Sequence, residues 1–259
     1  QRHPLAACVP VEVRVDHPLT RRVVMFHPVD VTVFGKLTRD HQRTLAITRI
    51  PEPQRERRVG GIAEPVHCVE LDRSVVVPQH VGKQEDFLFI GGLAGTAKDL
   101  AAITNDGANY YGMAGAMGAA VAMGLGLALA RPDKKVFVAT GDGELLMNVG
   151  ALATASIMNP PNLRILCVDN GHYGETGYQL SHTSQGVDLE QMAIGAGIKS
   201  TMTVETQDQI AAGARMLRES NGTCFVLLRV KPEDGPKFKR DMDPASTRVR
   251  FLQAMKAKA

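Results

Sequence analysis

From about residue 83 onward, apolar and polar positions follow two alternating rhythms. Short apolar runs at residues 87–90, 135–140, 163–168 and 224–230, with a weaker one at 201–204, read as strands buried on both faces. Between them, residues 96–103, 145–158, 189–196, 207–219 and 244–258 carry helix-compatible patterns. Residues 114–130 are apolar throughout, but glycines at 115, 118, 124 and 126 interrupt them. That stretch predicts a glycine-rich buried helix rather than a membrane span, which needs about 20 predominantly apolar residues. Strands alternating with helices predict an α/β fold: a doubly wound, mostly parallel sheet with helices on both faces. Ligands of such sheets sit beyond the carboxyl ends of the strands, and Asp142 and Asn170 both fall at such ends.

The pattern before residue 83 is different. Eight of the fourteen prolines and six of the eight histidines lie there. Residues 11–15 and 29–34 alternate as short strands would, and residues 51–58 read as a charged, proline-bearing loop. No long amphipathic helix and no chemistry-bearing cluster is legible. The expected organisation is an irregular or small β-rich extension over 1–83 and one α/β domain over 84–259.

Composition narrows the classes. The chain is 44% hydrophobic and 22% charged, ordinary for a globular protein. A net charge of +3 argues no nucleic-acid partner. No basic, then apolar, then small-residue signal opens the chain, and no membrane association is expected. Cys8, Cys68, Cys167 and Cys224 are scattered without a CxxC pair, so they read as free thiols of a cytoplasmic protein.

The chemistry centres on Gly141-Asp142-Gly143, separated from Asn170 by twenty-six residues. A strand ends there and turns sharply into a helix. The glycines admit unusual dihedrals and let an anion approach the backbone, and the new helix presents free N–H groups near Glu144. Asp142 offers a carboxylate oxygen, Asn170 an amide oxygen from the next strand tip, and His172 a backbone carbonyl. Magnesium takes about six such oxygens. On its own, Gly-Asp-Gly is an ordinary turn. Gly124-Leu125-Gly126 is no dinucleotide fingerprint, because it sits inside a helix that precedes a strand, and no GxxxxGK[ST] run exists.

The Gly-Asp-Gly motif, its spacing to Asn170 and the run Asn170-Gly171-His172-Tyr173-Gly174 resemble the cofactor motif of the thiamine diphosphate (ThDP) enzyme superfamily. The resemblance implies a ThDP-binding fold in which Asp142, Asn170 and the His172 carbonyl bind Mg²⁺. Gly115-Ala116-Met117-Gly118 looks like the family's Gly-x-apolar-Gly segment. Met117 would then wedge beneath the cofactor, and the Gly115 carbonyl would hold its exocyclic amine. Residues 110–183 resemble more narrowly the sulfopyruvate decarboxylase β subunits and the phosphonopyruvate decarboxylases, a likeness extending over residues 86–230. By it, the cofactor contacts are Gly92, Gly141, Asp142, Gly143, Glu144, Tyr173, Gly174, Glu175 and Thr176. Met117, Glu175 and His182 are candidate catalytic residues. Glu144 stands where many relatives carry Ser.

What this implies is non-oxidative loss of carbon dioxide from a small 2-oxo acid. The family also needs a glutamate on the aminopyrimidine nitrogen, carried by a separate pyrimidine-binding domain. Residues 1–83 are too short for one, so a partner subunit is expected to supply it. Two other readings stay open: the β subunit of a 2-oxo acid:ferredoxin oxidoreductase, and a non-catalytic protein that keeps the fold.

Overall fold

The computed structural model describes residues 69–256, which lie within one compact unit, Arg58–Ala259. The strands expected at 11–15 and 29–34 and the loop at 51–58 fall outside the described residues.

In chain order the described elements are α1 (Arg73–Val81), β1 (Phe87–Gly91), α2 (Ala94–Thr104), β2 (Tyr110–Gly112), α3 (Ala120–Ala130), β3 (Lys135–Gly141), α4 (Asp142–Leu146) and α5 (Ala151–Met158). There follow β4 (Leu163–Asp169), the two-residue strands β5 (His172–Tyr173) and β6 (Gln179–Leu180), α6 (Leu189–Gly195), β7 (Ser200–Val204), α7 (Ile210–Glu219), β8 (Cys224–Arg229) and α8 (Pro244–Lys256). Six strands form one parallel sheet in the order β2-β1-β3-β4-β8-β7.

β1 and β4 are buried along their whole length, as strands covered on both faces must be. Alternation assigns each side chain to a layer. Phe87, Phe89 and Phe137 stack with centroids 5.4–5.7 Å apart on the face covered by α1, α2 and α7. Leu88, Ile90, Val136, Val138 and Ile165 point the other way, into a core shared with α3, α5, α6 and α8. The chain leaves β1 through α2 towards the β2 edge, and returns through α3 to β3 on the opposite side of β1. β1 and β3 are thus neighbours whose connections diverge, and a crevice opens between their carboxyl ends.

The structure corrects three expectations. Within the stretch set apart as an extension, α1 packs against the sheet layer: Val76, Val77 and Val81 are buried beside α7. Asp72 caps it by accepting from the Ser74 N–H at 2.8 Å, and Pro78 inside it obscures the helical pattern. The helix expected over 114–130 begins only at Ala120, because Ala114, Gly115 and Gly118 adopt left-handed φ values of 47°, 97° and 77°. Nor is it wholly buried, since one half of α3 is exposed. The helix expected over 145–158 is two, interrupted where Asn148 turns to donate its amide to the Gly118 carbonyl at 3.0 Å. No helix among the described residues is long and apolar enough to cross a membrane.

α1 is tied to α2 by a buried ion pair, Arg73 to Asp99 at 2.6 Å, with the residues 4% and 3% exposed. Removing one partner strands the other charge. Arg73→Met should therefore destabilise the fold by about 3–5 kcal/mol, with Arg73→Met/Asp99→Leu recovering most of the loss. Urea denaturation of the three proteins checks it; equal stability of single and double variants would show that the pair is not what couples the helices.

Candidate functional site

The crevice between β1 and β3 is a cleft of about 340 Å³. Its floor is the turn from β3 into α4, Gly141 to Glu144, with Asn170 beyond β4. One wall is the start of α2, Leu93 to Thr96; the other is the segment from His172 to Thr176. Met117 reaches it from the turn before α3, and Arg73, paired with Asp99, and Lys98 line it together with Glu175, Glu233 and Asp234.

The turn is built by close approach rather than by strained dihedrals. A Cβ at Gly143 would collide with the Tyr173 ring, so Gly143 lets that ring lie on the turn. A Cβ at Gly141 would meet nothing within 4 Å, and its φ of −91° needs no glycine. Among the described residues nothing explains the bare Cα of Gly141; a ligand seated against the backbone would.

Asp142 is buried and its Oδ2 accepts from Ser181 Oγ at 2.5 Å and Thr183 Oγ1 at 3.1 Å. Thr183 Oγ1 also lies 2.7 Å from Oδ1 of the equally buried Asp169, which accepts the Gly171 N–H as well. A short hairpin delivers both hydroxyls: β5 and β6 pair through His172 with Leu180 and Tyr173 with Gln179, and the Ser181 N–H closes on the Gly171 carbonyl at 2.8 Å. Each hydroxyl carries one proton, yet the pair serves three carboxylate contacts. Burial, and then the neighbouring Asp169 charge, push Asp142 up to about 6. Burial raises Asp169 too. This crowding of negative charge is what a divalent cation would relieve.

Asn170 follows Asp169 at the tip of β4, the strand beside β3. Its Oδ1 accepts from the His172 N–H at 3.2 Å. His172 Nδ1 lies 2.8 Å from the Asn170 carbonyl and so bears a proton. Among the described residues no three His, Cys, Asp or Glu side chains cluster to hold a metal. The candidate ligands instead mix one carboxylate with amide and carbonyl oxygens, a hard-oxygen set that fits magnesium.

Of the residues expected from sequence, Met117, Gly141, Asp142, Gly143, Glu144, Asn170, His172, Tyr173, Gly174, Glu175 and Thr176 all line this cleft. Gly92, Gly115 and His182 do not. Gly92 makes room for Glu144, whose carboxylate would collide with a Cβ there. That carboxylate turns back to accept the N–H groups of Leu93 at 3.0 Å and Gly141 at 3.3 Å, tying the tips of β1 and β3 together. Burial raises its pKa. His182 sits between Ser181 and Thr183 in the chain and is exposed, its Nδ1 3.4 Å from the Tyr173 hydroxyl. Sequence reasoning missed Ser181, Thr183, Asp169, Arg73 and Lys98. The Ser181-His182-Thr183 triplet was visible, but only the hairpin shows that its flanks, not its centre, reach the strand tips.

Residues 90–228 match the family model described as thiamine pyrophosphate enzyme, C-terminal TPP binding domain. The chain is 32% identical to the sulfopyruvate decarboxylase subunit beta of Methanocaldococcus jannaschii, the match covering 73% of this chain and 96% of that one. It is 33% identical to the sulfopyruvate decarboxylase of Methanosarcina acetivorans over 67% of this chain but only 44% of that one. The X-ray structure of a Mycobacterium smegmatis protein described as thiamin diphosphate-dependent superposes with a TM-score of 0.51 at 22% identity. That superposition covers 64% of this chain and 32% of the other, and shows a shared fold.

A carboxyl whose folded pKa exceeds its unfolded value of 3.8 keeps its proton more readily when folded. Its ionisation therefore costs stability as pH rises from about 4 through about 6. Asp142→Asn should be more stable than the wild type at pH 7 by roughly 1–3 kcal/mol, a gap that closes towards pH 4. Urea denaturation of the ligand-free chains at both pH values reads it. A gap that is absent, or that widens towards low pH, would show that Asp142 is not held in a crowded acidic pair.

Proposed function

The chain belongs to the thiamine pyrophosphate enzymes through their C-terminal TPP-binding domain, and from that premise we propose that it is the diphosphate-binding subunit of a split, magnesium-dependent 2-oxo acid decarboxylase. The observation that carries this reading is the pair of strand tips, Asp142 after β3 and Asn170 after β4, facing one cleft beside a glycine whose open Cα leaves room for a phosphate.

In this proposal the Asp142 carboxylate, the Asn170 amide oxygen and the His172 carbonyl hold Mg²⁺. The N–H groups of the turn into α4 and of the first turn of α2 face the diphosphate, where free helix N–H groups and the helix dipole favour anions. Met117 supports the rings, with the Gly115 carbonyl two residues earlier available to their exocyclic amine. When bound, ThDP would supply the electron sink for loss of carbon dioxide from the 2-oxo acid. The chain's own part is placement and exclusion of water. Ser181 and Thr183 fix the orientation of Asp142. Glu144 holds the loop after β1 against the turn after β3. Glu175 and the loop that carries Tyr178, hydrogen-bonded to Asp234 at 2.7 Å, border the mouth.

The substrate class follows the relatives: a small 2-oxo acid with a sulfonate or phosphonate tail. The relatives' names and lengths support the split in this proposal. A relative named as a β subunit is matched almost end to end, whereas the Methanosarcina enzyme is matched over less than half. The remainder, expected to include the pyrimidine-binding domain and its glutamate, would be supplied by a separate subunit.

Two outcomes test the reading. The isolated chain, given sulfopyruvate or phosphonopyruvate with ThDP and Mg²⁺, should release no carbon dioxide above background, and the complex isolated with its partner should; turnover by the chain alone would refute the split. Met117 is 37% exposed, so Met117→Ala should cost the fold well under the 2–5 kcal/mol of a core Met→Ala change. It should lower kcat of the complex at least tenfold. A variant that loses melting temperature but keeps kcat would reduce Met117 to a packing residue.

A further inference from the structure

After β8 the chain runs without helix or strand over residues 230–243, from the end of β8 to α8, which packs on the β2 edge of the sheet. This strap is fixed at both ends. The Lys231 N–H donates to the Leu71 carbonyl at 3.0 Å. The Asp241 N–H donates to Asp106 at 2.8 Å, and Asp106 also pairs with Arg250 of α8. Between these anchors Glu233, Asp234 and Gly235 line the cleft. Gly235 rests on the first turn of α2, since a Cβ there would stand 2.8 Å from the Gly95 Cα.

The opposite wall reaches this strap through one side chain. The Tyr178 hydroxyl donates to Asp234 Oδ1 at 2.7 Å. Tyr178 is an unusual residue for its place. Its φ is 59°, in the left-handed region that bulky side chains rarely enter, and it follows Gly177 at 113°. Such a conformation persists only where the surroundings hold it. The Tyr178 N–H donates to the Tyr173 carbonyl at 3.1 Å, and its ring stands beside that of His172, with centroids 6.0 Å apart. Glycine or asparagine would enter this turn at less cost, but neither reaches as far as a phenol. The strain at Tyr178 works against the hydrogen bond, and both partners are exposed, so the contact can open. The two walls it joins, the start of α2 and the segment from His172 to Thr176, are those that would face the diphosphate.

We propose that Tyr178 and Asp234 form a clasp across the cleft that retains the bound cofactor and opens to release it. Tyr178 is then a positioning residue that acts on the diphosphate end through the strap. The inference rests on the ThDP reading of this cleft.

The test uses the complex isolated with its partner, loaded with labelled ThDP and Mg²⁺ and chased with unlabelled ThDP. Tyr178→Phe keeps the ring and removes the hydroxyl. It should release the label about three- to tenfold faster than the wild type, the range one such hydrogen bond supports. Asp234→Ala should do the same, and the double variant should be no faster than either single one, because both remove one contact. Asp234→Asn keeps an acceptor and should recover most of the retention. The apparent KM for ThDP should rise in Tyr178→Phe by a larger factor than kcat falls. Unchanged release in Tyr178→Phe, additive effects in the double variant, or a loss of kcat without faster release would overturn the clasp and leave the ThDP reading standing. A wild-type complex that fails to bind ThDP would sink that reading and the clasp with it.

Discussion

Two acids, Asp142 and Asp169, are buried at the tips of adjacent parallel strands, where they share the Thr183 hydroxyl and burial raises the pKa of both. Everything near them can be understood as holding that unfavourable arrangement in place. Ser181 and Thr183 are brought back by a hairpin to donate to them, Gly171 adds a backbone N–H, and a closely packed core on both faces of the sheet prevents the tips from relaxing apart. A protein that only needed stability would place asparagine or serine here. Keeping two acids costs folding free energy, and groups of this kind persist where they bind or react.

The fold explains why the acids sit where they do. β1 and β3 are neighbours whose connections run in opposite directions, so the loops that follow them part and leave a crevice. Glu144 keeps that crevice from opening too far by holding backbone N–H groups on both sides with one carboxylate. Gly92 and Gly143 are the steric concessions that this packing demands, while a Cβ at Gly141 would meet nothing among the described residues.

Much of this was legible in the residues. The strands at 87–90, 135–140, 163–168 and 224–230 lie where the apolar runs place them, because a strand buried on both faces has few alternatives. Gly141-Asp142-Gly143 and Asn170 were readable as a unit because a strand–turn–helix motif is local. The misses are the long-range contacts. α1 was hidden because Pro78 and a run of valines mimic extended chain, and only packing against α7 settles it as helix. α3 starts late because the left-handed turn at 114–118 needs its glycines for conformation. Ser181 and Thr183 lie about forty residues from Asp142, and no periodicity announces a two-residue hairpin. His182 lies just outside the cleft lining, with its Nδ1 3.4 Å from the hydroxyl of Tyr173, which does line it.

The central claim is that one divalent cation sits between Asp142 and Asn170 and links them to a diphosphate. Crystals of the complex grown with ThDP and Mn²⁺ in place of Mg²⁺ would test it, with the metal located by its anomalous scattering. The account predicts one strong peak within coordination distance of the Asp142 carboxylate, the Asn170 amide oxygen and the His172 carbonyl. A metal found elsewhere in the cleft, or a diphosphate bound while Asp142 remains bonded only to Ser181 and Thr183, would contradict it.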